Sequence, residues 1–374
     1  MSNKKDEKNL KDLSDADKRT IEKIEAMALN AIKAVHEKKI PSIQIPSRNK
    51  SNSIYNEAKK IIQMGDKKSY RKFSNMNQAK AFMQIFLIAE KCKNLIMGGV
   101  TTSIRDVYYD AKHTMENKEN TFDDQAESDP IIEDLEVYLN ALREELHLRA
   151  EKRGDMVGPM IIHDEGDRID LRTMGSGGWG VPSIVENSRI QFENQGAKFI
   201  LYVEKGAVWS RLNEDKFWRT ANCMLIHGNG MPPRGVRRIM QRMRSELKLP
   251  VIVITDCDPW GFYIYSVIKQ GSMALSFESE RMAIPDAKFL GVSIFDVKRF
   301  GIPNTTSISL TEEDINKCNQ IKNYEWFKQP EWQKEIGEML RVKKKYEIEA
   351  LSAKGVRFIT QEYIPTKLKG KLWY

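Results

Sequence analysis

The stretch from Pro250 to Gly261, PVIVITDCDPWG, limits the possible folds of this chain more than any other. Its run of apolar, mostly β-branched residues is typical of a strand buried on both faces, as in a parallel sheet. Asp256 and Asp258 follow at the carboxyl end of that strand, where open α/β sheets bind their ligands. Two adjacent carboxylates suit a hard divalent cation such as Mg²⁺, although a turn and a helix N-cap would explain the same residues.

Strands and helices alternate regularly around this stretch. We predict strands in KFILYVE, CMLIHGNG, PVIVITDCD and AKFLGVSI, separated by helices such as AVWSRLNEDKFWRTAN. This alternation indicates a mostly parallel sheet flanked by helices. Its carboxyl edge would collect Glu204, the Gly228–Gly230 turn, Asp256 and Asp258. Three carboxylates that converge from separate strands form a better metal site than two in sequence.

The amino-terminal half is predicted to be helical. Helices are expected over Ser14–Val35, from Asn75 to Met97, after Thr101–Ser103 and after Ser128–Pro130. Short β segments come next, and three helices followed by a short β element suit a winged-helix module, which lays one helix in the DNA major groove. The arm before this module either is solvated or docks on a partner subunit through its apolar stripe.

The second of these helices carries Arg105, Tyr108 and Tyr109. A tyrosine on a DNA-binding module can attack a phosphodiester and become covalently linked to it. A free phenol titrates near pH ~10, so the attack needs a nearby cation such as Arg105, or a metal. The alternative is that one tyrosine packs in the core while the other stacks or hydrogen-bonds.

The helix PRGVRRIMQRMRSELKL is strongly basic. Its arginines form either a solvated face or a stripe that contacts DNA phosphates, and arginine rather than lysine at most positions favours the second interpretation. The candidate DNA-binding residues are Arg234, Arg237, Arg238 and Arg242.

Composition excludes several classes of protein. Hydrophobic residues make up 41% of the 374 residues, which supports folded cores, and no apolar run is long enough to span a membrane. The polar first residues do not resemble a signal peptide, and the four cysteines form no CxxC pair. We therefore expect a cytoplasmic protein with reduced thiols and no zinc site. The net charge of +8 favours an anionic partner.

A glutamate closing the first strand, a glycine turn closing the second and DxD closing the third form the pattern of the Toprim domain. Together with RDVYY upstream, they make the chain resemble the A subunits of DNA topoisomerase VI, a family that includes the meiotic double-strand-break protein. The resemblance runs from about residue 68 to the end. It rests on TTSIRDVYYDAKH, FDDQAESDPIIEDLE, YVEKGA, DCDPWGFYIYSVIKQGS, AIPDAKFLGV and ALSAKGVRFITQEYIP.

The resemblance implies roles for particular residues. Tyr109 would be the nucleophile and Arg105 would stabilise the phosphate, while Glu204, Asp256 and Asp258 would hold Mg²⁺. The family's glycine turn usually reads GKG followed by Pro-Asp, whereas this chain has GNGMPP. The family's lysine and aspartate are missing here, so no role for a charged group in that turn is carried over, and the acidic triad is unaffected.

The resemblance also implies an overall organisation. We expect an α/β protein of the multidomain α+β kind, with a helical winged-helix (CAP-like) DNA-binding domain before a Toprim domain. The predicted divisions are an N-terminal arm (1–68), the winged-helix domain (69–155), a linker with short β segments (156–190) that includes the glycine-rich stretch 175–180, and the Toprim domain with a C-terminal extension (191–374). The partners would be double-stranded DNA, a second copy of the chain, and an ATP-binding B subunit that completes an A2B2 heterotetramer.

The expected activity is that of an ATP-dependent type II (IIB) DNA topoisomerase. Each protomer would contribute one tyrosine, form a 5′-phosphotyrosyl break, and reseal it after a second duplex has passed, which relaxes supercoils. Three alternatives remain open from the residues alone. They are a break-forming protein without efficient religation, a Toprim nuclease in which water attacks, and a non-catalytic DNA-binding scaffold.

Overall fold

The computed structural model describes residues 13–116 and 118–374. The chain forms two compact units, each built from two separate segments. The first unit contains the described residues up to Asn52 together with those of Met64–Glu151, and the second contains Ser53–Gln63 together with Lys152–Tyr374.

The secondary structure elements are numbered in chain order. The helices are α1 (Asp15–His36), α2 (Met76–Gly98), α3 (Ile104–Ala111), α4 (Gln125–Leu139), α5 (Gly206–Glu214), α6 (Phe217–Ala221), α7 (Arg234–Leu247), α8 (Pro259–Gln270), α9 (Ser279–Met282), α10 (Ile294–Phe300), α11 (Glu312–Lys322), α12 (Pro330–Val342) and α13 (Ile364–Lys369). The strands are β1 (Ser42–Pro46), β2 (Ser53–Asn56), β3 (Ile61–Met64), β4 (Lys68–Lys72), β5 (Thr102–Ser103), β6 (Leu148–Arg149), β7 (Asp155–Val157), β8 (Met160–Asp164), β9 (Asp167–Asp170), β10 (Trp179–Gly180), β11 (Ile190–Asn194), β12 (Phe199–Val203), β13 (Cys223–His227), β14 (Val251–Ile254), β15 (Lys288–Gly291), β16 (Ile308–Ser309) and β17 (Lys344–Lys345).

Helix α2 forms the centre of the first unit. The Asn75 side chain caps its first turn, and Gly99 ends it in the left-handed conformation with φ 62°. Buried side chains recur every three or four residues along it and so define one face, which contains Phe82, Ile85, Ala89, Cys92 and Ile96. The predicted helix from Asn75 to Met97 is confirmed.

The predicted start of the third helix is wrong. Helix α4 begins at Gln125, before Pro130, because the Asp124 side chain accepts a hydrogen bond from the backbone N–H of Glu127 at 2.9 Å. It ends at Leu139, where Asn140 adopts a left-handed conformation.

Helices α2, α3 and α4 lie in the first unit, where β5 pairs with β6 and β1 pairs with β4. The predicted β segments near residues 156–171 are present as β7, β8 and β9, but they belong to the second unit. The winged-helix interpretation of the first unit stays a prediction.

A six-stranded sheet forms the centre of the second unit, in the order β10-β7-β13-β12-β14-β15. The last four strands are parallel, and β7 and β10 extend the sheet in antiparallel fashion. All residues of β13 and β14 are buried, as apolar strands covered on both faces require. The predicted mostly parallel sheet is confirmed.

Two further expectations have clear outcomes. The segment AVWSRLNEDKFWRTAN is not one helix, because Lys216 adopts a left-handed conformation with φ 52° and separates α5 from α6. All four cysteines are free and buried, as predicted for reduced thiols. Across residues 13–116 and 118–374, no helix combines the length and apolarity needed to cross a bilayer.

Strands β2 and β3 form a hairpin that the chain contributes to the second unit before returning to the first. Within the second unit, Ile62 joins the apolar core and the Tyr55 ring lies 5.5 Å from that of Trp326. Lys59 Nζ lies 2.5 Å from the Glu280 carboxylate. The hairpin is therefore an integrated part of the second unit.

The Asn52 side chain holds the base of this hairpin, through contacts with residues of the first unit. Its Nδ2 donates to the backbone oxygens of Ser47, Gly65 and Lys67 at 2.7, 3.1 and 3.1 Å, and its Oδ1 accepts from the N–H of Lys67 at 2.9 Å. The Asn52 side chain is buried, so water cannot readily replace it as the hydrogen-bond partner of these backbone groups.

We expect Asn52→Ala to open the base of the hairpin. Removing the amide leaves several buried backbone groups unpaired, which should cost roughly 2–3 kcal/mol of local stability. Gly65 is the informative probe in hydrogen exchange, because its N–H donates to the Asn52 backbone oxygen, which the substitution retains. Its exchange should accelerate roughly a hundredfold.

Asn49→Ala, at an exposed neighbouring asparagine, is the control. An unchanged Gly65 rate in Asn52→Ala would show that the side chain does not hold the hairpin base.

Candidate active site

The predicted acidic residues lie at the carboxyl ends of two hydrogen-bonded parallel strands. Glu204 follows β12, and Asp256 and Asp258 follow β14, with Val203 opposite Ile254 in the register. The backbone N–H of Asp256 donates to Glu204 Oε2 at 2.9 Å. The sequence prediction that these two side chains converge therefore agrees with their placement.

The third carboxylate has a local structural task. Asp258 Oδ1 accepts a hydrogen bond of 2.6 Å from the N–H of Gly261 and caps helix α8. The N-cap interpretation of Asp258 is thus correct. It does not exclude a metal role for Asp258, which stays a prediction.

Burial and mutual repulsion resist the simultaneous ionisation of these carboxylates. Burial, together with the negative charges of Asp256 and Asp258, raises the pKa of Glu204 to about 8, while the hydrogen bond from the Asp256 N–H and the charge of Lys205 oppose the rise. Burial also raises the pKa of Asp256 to about 6, opposed by the N–H of Ile348 and by Lys205. The pKa of Asp258 is raised by burial as well.

This donor set fits a hard divalent cation, because carboxylate oxygens are the ligands that such ions prefer and a dication would offset the repulsion among them. Within the described residues, however, no three Asp, Glu, His or Cys side chains already stand in a metal-binding arrangement. Coordination by all three carboxylates would therefore require some of these side chains to reorient.

Sequence reasoning missed the groups that surround Asp256. The ammonium nitrogen of Lys205 lies 3.1 Å from Asp256 Oδ2, 2.9 Å from Glu349 and 3.3 Å from Glu347. The N–H of Ile348 donates to Asp256 Oδ1 at 2.8 Å. Lys205 is adjacent to Glu204 and could have been noticed, but nothing local in the sequence connects residues 347–349 with Asp256.

A short β-bridge brings that distant segment to the site. The N–H of Cys257 donates to the Tyr346 oxygen at 2.8 Å, and the N–H of Tyr346 donates back to the Cys257 oxygen at 3.1 Å. The DxD turn is therefore supported on one side by the Glu204 strand and on the other by residues 346–349.

The glycine turn after β13 also meets the end of β12. The N–H of Gly230 donates to the Glu204 backbone oxygen at 2.9 Å, and the Tyr202 hydroxyl donates to the Gly230 oxygen at 2.8 Å. A Cβ on Gly228 would lie 2.8 Å from the Pro232 Cα, so the turn has no room for a side chain there. His227 Nε2 contacts Asp155 at 3.1 Å and its ring packs on Trp209, which is a structural placement.

In the first unit, the two adjacent tyrosines have different environments. Tyr108 is buried, and its hydroxyl contacts the Asp123 backbone oxygen at 3.2 Å and Lys112 Nζ at 2.9 Å. The Tyr109 side chain is 59% exposed, and the Arg105 guanidinium lies 5.9 Å from its ring centre. Of the two, only Tyr109 is therefore accessible to a macromolecular substrate.

Helix α3 holds Tyr109 and Arg105 one turn apart on a capped scaffold. The Ser103 hydroxyl accepts from the N–H of Asp106 at 3.0 Å, while the Asp106 carboxylate accepts from the N–H of Ser103 at 3.3 Å. This capping box fixes the first turn of an eight-residue helix that would be marginal alone.

Comparison with known proteins assigns the family. A family model for the Toprim domain of the topoisomerase 6 A subunit and Spo11 matches residues 199–368. Models described as "Type IIB DNA topoisomerase" and "All-beta domain in DNA topoisomerase VI alpha subunit" match residues 80–148 and 150–196.

Several relatives are similar over nearly their whole length. The A subunit of type 2 DNA topoisomerase 6 from Sulfurisphaera tokodaii is 39% identical, over 96% of this chain and 96% of the relative. That of Pyrococcus horikoshii is 39% identical over 95% of both chains. The chain belongs to the family of DNA topoisomerase VI A subunits. A plant relative, the A subunit of DNA topoisomerase 6 from Arabidopsis thaliana, is 33% identical over 89% of this chain and 76% of its own.

The family matches coincide with the candidate residues. The Toprim match of this topoisomerase VI A-family chain begins with β12 and includes Glu204, Asp256 and Asp258, and the type IIB match includes Tyr109. A Toprim domain in a topoisomerase implies the use of a divalent metal. The predicted resemblance is confirmed.

The basic helix has a more internal role than its charge suggested. Arg234, Arg238 and Arg242 pair with Glu278, Glu186 and Glu246 at 2.6, 2.8 and 2.7 Å. Arg237 and Arg242 are buried, and burial lowers the pKa of Arg237 to about 10. This geometry favours a structural role for these arginines over a stripe that contacts DNA.

The raised pKa of Glu204 predicts how the stability of the metal-free protein depends on pH. The folded protein retains this proton to about pH 8, whereas the ordinary glutamate value is 4.5, so rising pH removes stability across that window. Glu204→Gln keeps an acceptor for the Asp256 N–H but carries no charge. In EDTA it should be more stable than wild type at pH 8.5, on the order of a few kcal/mol, and the difference should shrink towards pH 5.

The measurement is the thermal midpoint of unfolding at several pH values. Glu362→Gln, at an exposed glutamate, controls for the chemical change itself. Parallel curves for Glu204→Gln and wild type from pH 5 to 8.5 would mean that Glu204 is ionised throughout.

Proposed function

We propose that this chain is the DNA-cleaving and rejoining subunit of an ATP-dependent type IIB DNA topoisomerase. The observation that carries the proposal is that one chain contains both an exposed Tyr109 next to Arg105 and, on its Toprim domain, a buried carboxylate cluster. The names of the relatives, which are A subunits of topoisomerase 6, agree with it.

In this proposal Tyr109 performs the covalent chemistry. Its phenolic oxygen bonds to the phosphorus while the bond to the 3′ oxygen breaks, which leaves a 3′-hydroxyl and a 5′-phosphotyrosyl link. One phosphodiester replaces another, so attack by the 3′-hydroxyl can reverse the step and reseal the strand. Arg105, one helical turn away, would balance the negative charge that develops on the phosphate.

Glu204, Asp256 and Asp258 are the residues that would hold Mg²⁺ in the proposed site. A bound Mg²⁺ would supply positive charge next to the phosphate as the reaction proceeds. The backbone N–H groups of Asp256 and Ile348 hold the carboxylates of Glu204 and Asp256 in position.

The proposed assembly has several partners. Double-stranded DNA is the substrate, and the first unit would be the winged-helix module that binds it. Two copies of the chain would join two ATP-binding B subunits in an A2B2 heterotetramer. Each copy would supply one tyrosine, and that tyrosine would act with the acidic cluster of the other copy.

The central test is covalent capture of DNA. With a B subunit, ATP, Mg²⁺ and plasmid DNA, wild type should form an adduct that survives denaturation, and Tyr109→Phe should form none because the nucleophilic oxygen is gone. Tyr108→Phe, with the same change on the buried neighbour, should retain the adduct.

Cleavage by Tyr109→Phe without an adduct would favour hydrolysis by water, and DNA binding with no cleavage by any variant would favour a scaffold. Relaxation of supercoiled plasmid by wild type separates a topoisomerase from a protein that breaks DNA without religation.

Sharing of the site between copies can be tested with a mixed dimer. In a heterodimer of one Tyr109→Phe protomer and one Asp256→Ala protomer, a shared arrangement leaves one intact composite site. This heterodimer should therefore nick one strand, as measured by conversion of supercoiled plasmid to open circles. The Tyr109→Phe homodimer provides the blank. Absence of nicking by the folded heterodimer would favour a site contained within one protomer.

A further inference from the structure

The Lys205 ammonium group lies against one of the proposed metal ligands. Its nitrogen is 3.1 Å from Asp256 Oδ2, and the Lys205 side chain is only 24% exposed. Lys205 is also the N-cap residue of α5, next to Glu204, so its backbone is fixed at the end of β12. A positive charge is thus built into the acidic cluster itself.

A lysine ammonium and a divalent cation compete for the same carboxylate oxygen. Both are positively charged, and at contact distances around one buried carboxylate their mutual repulsion is strong. Binding of a metal ion to Asp256 would therefore have to displace the Lys205 ammonium from its present position.

The structure also provides a place for the displaced group. Lys205 already lies 2.9 Å from Glu349 and 3.3 Å from Glu347, whose side chains are 43% and 54% exposed on the solvent side of the cluster. These glutamates flank Ile348, which is anchored to Asp256 by its N–H. The long flexible lysine stem can release Asp256 and keep its contacts with the glutamates.

We propose that Lys205 is a resident counter-cation of the acidic cluster, which competes with the divalent metal for Asp256 and is held by Glu347 and Glu349 when displaced. The inference rests on the proposed metal role of Asp256. It makes Lys205 a positioning residue that sets the metal concentration at which the site fills and that gives Asp256 a counter-charge when no metal is bound.

The test is a titration of Mn²⁺ into the full chain without DNA. Electron paramagnetic resonance measures the free ion, and hence the fraction bound. Lys205→Met removes the competitor and should tighten binding roughly ten- to a hundredfold, the range expected for loss of a competing charge-assisted hydrogen bond. Lys205→Gln should tighten binding as well, and serves if the methionine variant folds poorly. Lys205→Arg keeps the charge and should stay near wild type. A merely structural role predicts the opposite sign, because disturbing the cluster would weaken binding.

Two controls separate the possible failures. Lys345→Met removes a lysine whose charge acts on Asp258 but whose ammonium is paired with a different carboxylate, that of Asp314, at 2.7 Å, and it should tighten binding less than Lys205→Met. Asp256→Ala should abolish tight binding. If Asp256→Ala weakens binding but Lys205→Met tightens it no more than Lys345→Met, the counter-cation proposal is wrong and the metal assignment stands. If wild type and Asp256→Ala bind Mn²⁺ equally, both are wrong.

Discussion

The local structure of the second unit depends on one electrostatic problem, the burial of carboxylates side by side at the ends of two neighbouring parallel strands. An apolar core offers no solvation for such groups, so each must find donors or a counter-charge. Asp256 obtains them from the Ile348 N–H and Lys205, Glu204 from the Asp256 N–H, and Asp258 from the first turn of α8. Even so, the pKa of Glu204 stays near 8. A carboxyl group whose pKa is raised this far is more typical of a functional site than of a group that only stabilises the fold.

Much of this arrangement could be predicted, because its main determinants are local. An unbroken apolar run marks a strand covered on both faces, and parallel strands bring their carboxyl ends to one edge, so the proximity of Glu204 and Asp256 follows from pattern alone. The same reasoning failed where a partner lies far away in the chain. The sequence favoured Arg237 and Arg242 as part of a stripe that contacts DNA phosphates, yet both are buried. Glu347 and Glu349 reach Lys205 because the bridge at Tyr346 brings their segment to the site.

The predicted helix boundaries were wrong for a related reason. Helix α4 begins where Asp124 supplies a cap, and α5 ends because Lys216 turns left-handed, and neither event interrupts the apolar periodicity. The pair Tyr108 and Tyr109 was ambiguous from spacing, and only the resemblance selected the second. Their environments now give that choice a physical basis, because the Tyr108 hydroxyl is held by Asp123 and Lys112 while Tyr109 faces solvent.

The hairpin of β2 and β3 makes each unit discontinuous in sequence, so that the chain passes from one to the other three times. A gene fragment beginning at Lys152 would encode the sheet and its acidic edge without Ile62 and Tyr55, and would expose the apolar surface that these side chains cover. The units are therefore poorly suited to exchange as single gene segments during recombination between related genes. An exchange with a single crossover near residue 152 would combine a hairpin from one parent with its receiving surface from the other, and would succeed only where both surfaces had remained compatible.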